Sequence, residues 1–445
     1  MDQIILRSVS TPLNGSVTPP PDKSISHRAL FFAALNHGRT VLHNVSTAAD
    51  PLATRNLLES LGYGFAQEEA ALVKAAGAAH PHAGHGELSL HCRNSGTTAR
   101  LACGFLTGER GTFVLIGDDS LSNRPMERVA APLREMGGTV NTTEGRMPVH
   151  VDASHPLSDR VMLMEAASAQ VHGALFLAGL RSNSGVLIRR TRLMRDHTIR
   201  LAGAFGLETP YTDDNGLPID EVMAATIDRD VELRIPGDLS SAAFFVVAAL
   251  IVPDSDITIT GVGLNPTRIA FLEALREMGA KVHWHTIGDD AEPVGEIHVQ
   301  HSGMMRGIDL GERVHVGTVA QMMDELPLLA LVGSQVAGTT TVRGAEELRV
   351  KESDRIAATA RLMRSLGVVI TELPDGFEVT GPQEVAGGGA VDHEGDHRLA
   401  MVAAVAALIA RVPVTIPAPD VVAVSYPEFW TQLEAIAPGA IKGAA

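Results

Sequence analysis

Cysteine is nearly absent. The 445 residues contain two, Cys92 and Cys103, too few for a disulfide framework or a usual structural zinc site, so a reducing compartment is expected. Long apolar runs are missing as well: the most apolar stretches, residues 242–252 and 399–410, fall short of the roughly 18 residues a spanning helix needs and read as buried helices. Positive charge is in deficit, with 36 Lys and Arg against 52 Asp and Glu, a formal net charge of -16. Such a surface repels phosphates in bulk, which opposes nucleic-acid and acidic-membrane binding and makes any local cluster of arginines conspicuous. Residues 1–9 show no basic region followed by an apolar core and a small-residue cleavage site, so secretion is not expected and the cytoplasm is the simplest address.

The material present is that of a globular protein, 45% hydrophobic and 20% charged, and its length calls for two bodies of about 200 residues each. A helix tail ending in glycine and running into a β-rich segment recurs along the chain. It is seen at Leu57 to Gly62, Leu133 to Gly137, Leu201 to Gly206, Leu275 to Gly279 and Leu362 to Gly367, with a weaker copy at residues 432–437. Glycine after the last turn can take the left-handed conformation that caps a helix before a strand. The spacing suggests a small α/β subdomain used about six times, although Leu-x-x-x-Gly is also ordinary helix punctuation. Pro19-Pro20-Pro21 and Pro236-Gly237-Asp238 are candidate crossings between the two bodies.

Several segments carry chemistry. In PDKSISHRAL (residues 21–30), Ser24 can cap a helix that Gly38 ends, and Lys23 and Arg28 flank an amino terminus already favourable to an anion. In NSGTTARL (residues 94–101), Gly96 among small hydroxyl residues lets a ligand approach the backbone of a second helix start. No GxxxxGK followed by Ser or Thr occurs, which weakens an ATP-dependent reading. Arg124 beside Pro125 is a rigidly placed guanidinium suited to carboxylate or phosphate. Asp324 and Glu325 stand in a largely apolar run, a setting that raises a carboxylate's proton affinity. Lys351 and Arg355 are four apart, on one face of a predicted helix. Arg398 opens a helix apolar on every side and needs a partner, either Asp396 or a ligand anion. His397 is expected to be a structural donor, since no second histidine or cysteine lies at ligand spacing. Taken singly, these segments also read as a solvated basic turn, a loop contact, an amino cap before Pro327 and ion pairs along an exposed helix.

Taken together, PDKSISHRAL, NSGTTARL, RPM (124–126), SAQV (168–171), RDHT (195–198), PGDxSSAAFF (236–245), GLNPTR (263–268), DELP (324–327), KESDR (351–355) and GDHRLAM (395–401) stand in the order seen in EPSP synthases. The chain resembles that family over nearly its whole length. The resemblance implies a two-domain inside-out α/β barrel with six βαβαββ repeats, three per domain. Residues 1–20 and 237–445 would form one discontinuous domain and 21–236 an inserted one, with the active site in the interdomain cleft. It implies transfer of the enolpyruvyl group of phosphoenolpyruvate to the 5-hydroxyl of shikimate 3-phosphate through a tetrahedral adduct, with no metal and no cofactor, no nucleic-acid or membrane partner, and a monomeric enzyme.

By the same resemblance, Lys23, Ser24, Arg28, Ser168, Ala169, Gln170, Asp324 and Lys351 contact shikimate 3-phosphate, with Arg195 an added phosphate ligand. Lys23, Gly96, Arg124, Gln170, Arg355 and Arg398 hold phosphoenolpyruvate, and Asp324, Glu352 and Lys23 are the candidates for proton transfer. The chain departs from the pattern at Met194, where many members have Ser, at His172, where Lys is common, and at Val424, where another subgroup has a lysine. A UDP-N-acetylglucosamine enolpyruvyl transferase is the nearest alternative, but its usual loop cysteine has no counterpart in residues 117–126. A catalytically silent sugar-phosphate-binding repeat protein could keep the arginines but would have no need of Asp324 and Glu352.

Overall fold

The computed structural model describes residues 2–77, 86–155, 157, 160–164, 168–183, 185–190, 194–208, 211–212, 218–311 and 318–442. The chain divides into two units, each with its own core. Met1–Pro20, Pro236–Asp289 and Pro293–Ala445 make unit 1; Pro21–Ile235 and the triplet Asp290–Glu292 make unit 2.

Unit 2 runs through strand, helix, strand, helix and hairpin three times. Its main helices are α1 (Lys23–Leu35), α2 (Ala49–Ser60), α3 (Gly96–Leu106), α4 (Glu127–Glu135), α5 (Ala169–Leu180) and α6 (His197–Ala204). Among the described residues, its strands form three four-stranded sheets of one topology. In the first, Val231–Arg234 lies parallel to Thr40–His43, which pairs antiparallel with Ala71–Lys74, itself antiparallel to Ala66–Glu68. Glu87–Arg93, Thr112–Gly117, Arg146–Asp152 and Thr139–Thr143 repeat this order, as do Arg160–Met164, Val186–Arg190, Pro218–Val222 and Tyr211–Thr212. Only the first copy borrows its leading strand from the far end of the unit.

Unit 1 follows the same plan with α7 (Leu239–Ile251), α8 (Ala270–Glu277), α9 (Leu326–Gln335), α10 (Arg355–Ser365), α11 (His397–Ala407) and α12 (Phe429–Ile436). Asn14–Val17 runs parallel to Asp256–Gly263, followed by Pro293–Gln300 and Lys281–Asp289. The other two copies are less regular. Parallel bridges at Arg306 with Ala337 and Asp309 with Thr341 stand in for a leading strand beside Gly338–Val342. Gln3–Leu6 pairs antiparallel with Val414–Pro417.

The two helices of each repeat have different jobs. Those at the first position, α1, α3 and α5 in unit 2 and α7, α9 and α11 in unit 1, are buried on nearly every side. They pack on one another within each unit, α3 against α1 and α5, and α11 against α7 and α9. Phe31 of α1 and Phe105 of α3 meet with ring centroids 5.2 Å apart, and each ring so buried contributes about 1.5–3 kcal/mol. This is why the bodies of α7, α9 and α11 are apolar all round.

Five of the six second-position helices stop at the recurring glycine, and α12 ends at Ala437 instead. After α2, Gly62 has φ +95°, its N–H donates to the Glu59 carbonyl and that of Tyr63 to the Leu58 carbonyl, both at 3.0 Å. This is a Schellman cap, and its left-handed residue tolerates no Cβ cheaply. Gly137, Gly206, Gly279 and Gly367 close α4, α6, α8 and α10 with the same bond pattern. Two expected boundaries shift. Asp22, not Ser24, caps α1, accepting from Ile25 N–H at 2.8 Å. That helix ends at Asn36 rather than at Gly38, because the Asn36 side chain takes over the exit through Thr40 and the Arg229 carbonyl. Gly38 is instead required by close approach, since a Cβ there would overlap the Arg229 backbone.

Candidate active site

Nearly every residue singled out in the sequence lies at or just before a helix amino terminus, where unpaired N–H groups favour negative charge. In unit 2, Lys23 opens α1 and its Nζ sits 2.9 Å from Asp50 Oδ2 at the start of α2. Gly96 opens α3. A Cβ on it would lie 2.8 Å from Arg100 Nη1 and 3.4 Å from Arg124 Nη1, so both guanidiniums reach this bare stretch of backbone. Arg124 is aimed by Asn94 Oδ1 at 2.6 Å and Ser120 Oγ at 3.2 Å.

Gln170, in the first turn of α5, joins the same group. It accepts from Arg100 Nη1 at 2.7 Å and donates to Thr97 Oγ1 at 2.9 Å. Ser168 caps α5, with Arg128 Nη2 2.7 Å from its Oγ. Arg28 is buried and braces three elements, donating to the Ser24 and Ala169 carbonyls, each at 2.9 Å, and to Thr198 Oγ1 at 2.8 Å. Arg195 is half-buried two residues ahead of α6. The two departures nearby are structural. Met194 is in the core, and His172 is buried with its Nε2 2.8 Å from Asp220 Oδ2, which also holds Arg190 Nε at 2.8 Å. Burial lowers the His172 pKa even though Asp220 opposes it.

Sequence reasoning missed Arg100, Arg128 and Asp50. Arg100 was detectable: it is a cation directly before the apolar body of its helix, residues 101–106, the same anomaly that drew attention to Arg398. Arg128 and Asp50 carried no local signal.

In unit 1, one buried guanidinium organises the cluster. Arg355, only 1% exposed, donates to Asp396 Oδ2 (2.7 Å), Asp396 Oδ1 (3.3 Å), Glu352 Oε2 (2.5 Å) and Asp324 Oδ1 (3.2 Å). Burial opposes its charge, but the three carboxylates outweigh that and raise its pKa. Burial likewise pushes Asp396 up, and Arg355 more than reverses the effect, so its carboxyl is held below the usual range. Burial lowers the Lys351 ammonium, with Asp324 and Glu347 opposing.

Three expectations change here. Asp324 is not in apolar surroundings: it lies between Arg355 and Arg398, whose Nε is 3.7 Å away. Asp396 gives its carboxylate to Arg355 and to the backbone N–H of Arg398 at 2.9 Å, capping α11, while the Arg398 side chain turns to Asp324. Lys351 and Arg355 do not share a helix face, because α10 begins at Arg355 and Lys351 ends the preceding 3-10 turn. The expected exposed ion pairs exist one step over, where Arg349 holds Asp354 at 2.7 Å and Glu372 at 3.2 Å. Among the described residues, no group of three or more His, Cys, Asp or Glu is placed to hold a metal ion, and no helix is long and apolar enough to cross a membrane.

Known proteins share this plan along the whole chain. The family model for EPSP synthase (3-phosphoshikimate 1-carboxyvinyltransferase) matches residues 8–433. The 3-phosphoshikimate 1-carboxyvinyltransferase of Thermotoga neapolitana is 40% identical over 425 residues, spanning 95% of this chain and 97% of that protein. The protein of the same name from Carboxydothermus hydrogenoformans is 41% identical over 434 residues, 96% and 98% of the two chains. Among solved structures, EPSP synthase from Acinetobacter baumannii superposes with a TM-score of 0.84 at 33% identity, covering 100% of both chains. The enolpyruvyl transferase NikO from Streptomyces tendae shares the fold, with a TM-score of 0.74 at 16% identity over 98% of this chain and 97% of that one. With agreement of this extent in sequence as well as in fold, the chain belongs to the EPSP synthase (3-phosphoshikimate 1-carboxyvinyltransferase) family.

Proposed function

We propose that this protein transfers the enolpyruvyl group of phosphoenolpyruvate to the 5-hydroxyl of shikimate 3-phosphate, releasing phosphate, and that the unit 1 and unit 2 groups act on the same substrate pair. The observation that supports this most directly is the approach of the Arg100 and Arg124 guanidiniums to the bare backbone of Gly96, with Gln170 accepting from Arg100. Both substrates carry a phosphate and a carboxylate. Charge-assisted hydrogen bonds of about 1.5–3 kcal/mol each are the means of holding such mutually repelling anions.

In this reading Lys23, Ser24, Arg28, Ser168, Ala169, Gln170, Arg195, Asp324 and Lys351 serve shikimate 3-phosphate. Lys23, Gly96, Arg124, Gln170, Arg355 and Arg398 serve phosphoenolpyruvate. The 5-hydroxyl oxygen bonds to the enol carbon while Asp324 takes the hydroxyl proton and Glu352 gives a proton to the methylene carbon, making a tetrahedral adduct. Phosphate then leaves with the C–O electron pair, the new methyl group returns a proton, and the enol ether is restored. Lys23 stabilises charge or shares the transfers.

The geometry suggests how Glu352 is charged with its proton. Arg355 Nη2 holds it in the free protein. A substrate anion that takes that guanidinium releases Glu352, and loss of the neighbouring cation raises a carboxylate's proton affinity. The protein functions in the cytoplasm as a monomer in this reading.

The deciding experiment is phosphate release from purified protein given phosphoenolpyruvate and shikimate 3-phosphate, run beside UDP-N-acetylglucosamine as acceptor. Turnover with shikimate 3-phosphate is expected. Turnover with the sugar nucleotide alone overturns the assignment, and ligand-induced thermal stabilisation without turnover would select a silent binding protein.

A further inference from the structure

A chain of buried hydroxyl groups links the two amino-terminal motifs of unit 2 and lies outside every role assigned above. His27 Nδ1 is 2.6 Å from Thr54 Oγ1, Thr54 Oγ1 is 2.7 Å from Thr98 Oγ1, and Thr98 Oγ1 donates to Ser95 Oγ at 2.7 Å. Ser95 Oγ also accepts the Thr98 N–H at 3.1 Å, which caps α3. All four side chains are fully buried. The chain therefore joins α1, α2 and the start of α3.

Proton counting fixes its direction. Thr98 has one hydroxyl proton, and Ser95 Oγ at 2.7 Å takes it in preference to the Asp50 carbonyl at 3.4 Å. Thr54 must then donate to Thr98, so Thr54 can only accept from His27. His27 is then the Nδ1–H tautomer. Its Nε2 is buried without a hydrogen-bond partner, as fits a neutral imidazole. Burial, helped by Lys23 and Arg28, holds the His27 pKa well below the ordinary value, against Asp22. At the other end, Ser95 Oγ accepts from both the hydroxyl and the N–H of Thr98, so both of its lone pairs are taken. Its own proton is left to be donated away from the chain, from the residue that directly precedes Gly96.

We propose that His27, Thr54 and Thr98 are positioning residues that polarise the Ser95 hydroxyl as an obligate donor to the anion held at the start of α3. This inference rests on the reading of Gly96 as part of the phosphoenolpyruvate site. A hydroxyl with a free lone pair can spend its proton on another acceptor; one with both lone pairs occupied has only its proton to offer. The contact would be made to the same anion before and during reaction, so its loss should weaken binding and leave turnover alone.

The test is calorimetric binding of phosphoenolpyruvate in the presence of shikimate 3-phosphate, together with steady-state KM and kcat. Thr54→Val, which keeps the shape and breaks the chain, is expected to weaken phosphoenolpyruvate binding about tenfold, the scale of one charge-assisted hydrogen bond. Its kcat should stay within about twofold of the parent. Thr54→Ser should restore affinity. His27→Asn, whose amide can supply the same donor, should bind like the parent, whereas His27→Leu should follow Thr54→Val. The His27→Leu pair also guards against a valine variant that fails to fold, since leucine removes a buried unsatisfied nitrogen. Thr54→Val combined with Ser95→Ala should bind no worse than Ser95→Ala alone. Unchanged affinity in Thr54→Val and His27→Leu, or a loss visible only as a lower Tm, overturns the proposal. Because binding is read directly, absence of phosphate release by the parent protein would sink the reaction assigned above without deciding this point.

Discussion

Replacing Asp396 with Asn tests the electrostatic account of unit 1. The two oxygens of Asp396 accept only from N–H and O–H groups: Oδ2 from Arg355 Nε and Ser353 Oγ, Oδ1 from Arg355 Nη2 and the Arg398 backbone. An amide cannot reproduce this, because its NH2 faces a donor whichever way it is turned. Removing one partner of a fully buried ion pair costs about 3–5 kcal/mol. In a body of about 150–250 residues each kcal/mol moves Tm by about 2–4 °C, so a fall of about 6–20 °C is expected by scanning calorimetry near neutral pH. The pH dependence supplies the stricter check. Asp396 is held below the usual carboxylate range, so its stabilisation is complete above the ordinary value of about 3.9 and disappears as pH falls through the lower folded-state value. The gap between parent and Asp396→Asn should therefore be constant from about pH 5 to 7 and close in acid. An unchanged Tm at neutral pH, or a gap that persists in acid, would refute the reasoning.

Asp324→Asn should abolish phosphate release while substrate binding by calorimetry persists, and near-normal turnover would remove Asp324 from proton transfer. Gly96→Ala places a methyl group 2.8 Å from the guanidinium end of Arg100. It should change stability by less than about 1 kcal/mol but raise the KM for phosphoenolpyruvate several-fold as Arg100 is pushed from Gln170, and an unaltered KM would show that Gly96 does not approach the substrate. Burial lowers the Lys351 pKa, and an arriving anion must raise it. Shikimate 3-phosphate binding should therefore take up protons at pH values below the ordinary lysine value of about 10.4. Calorimetry in buffers of different ionisation heat measures that uptake, and Lys351→Met should abolish it.

What could be read from the sequence was whatever local chemistry determines. Gly62, Gly137, Gly206, Gly279 and Gly367 marked helix ends because a left-handed residue is a local need. The all-apolar stretches around α7 and α11 announced burial. The cap of α1 was misplaced by two residues because Asp22 and Ser24 are both competent, and only the entry path of the chain decides between them. The surroundings of Asp324 were misjudged because the two guanidiniums beside it come from positions 355 and 398, which no window of neighbouring residues contains. Arg100 could have been found from its helix alone, whereas Arg128 had nothing to distinguish it from an ordinary surface arginine. The parallel pairing of Val231–Arg234 with Thr40–His43 was also hidden, since register between distant strands is set by packing and not by either strand's composition.

That borrowed strand, and its counterparts Asn14–Val17 and Gln3–Leu6 in unit 1, bear on the order in which the protein can be built. As the chain leaves the ribosome, the sheet that contains Thr40–His43 stays open at one edge until residues 231–234 emerge. Gln3–Leu6 cannot pair until Val414–Pro417 follow some four hundred residues later. The inserted unit can therefore largely close while the unit that brackets it is still waiting for its last strand, and loss of either of these paired strands would leave an unpaired strand edge open to other chains.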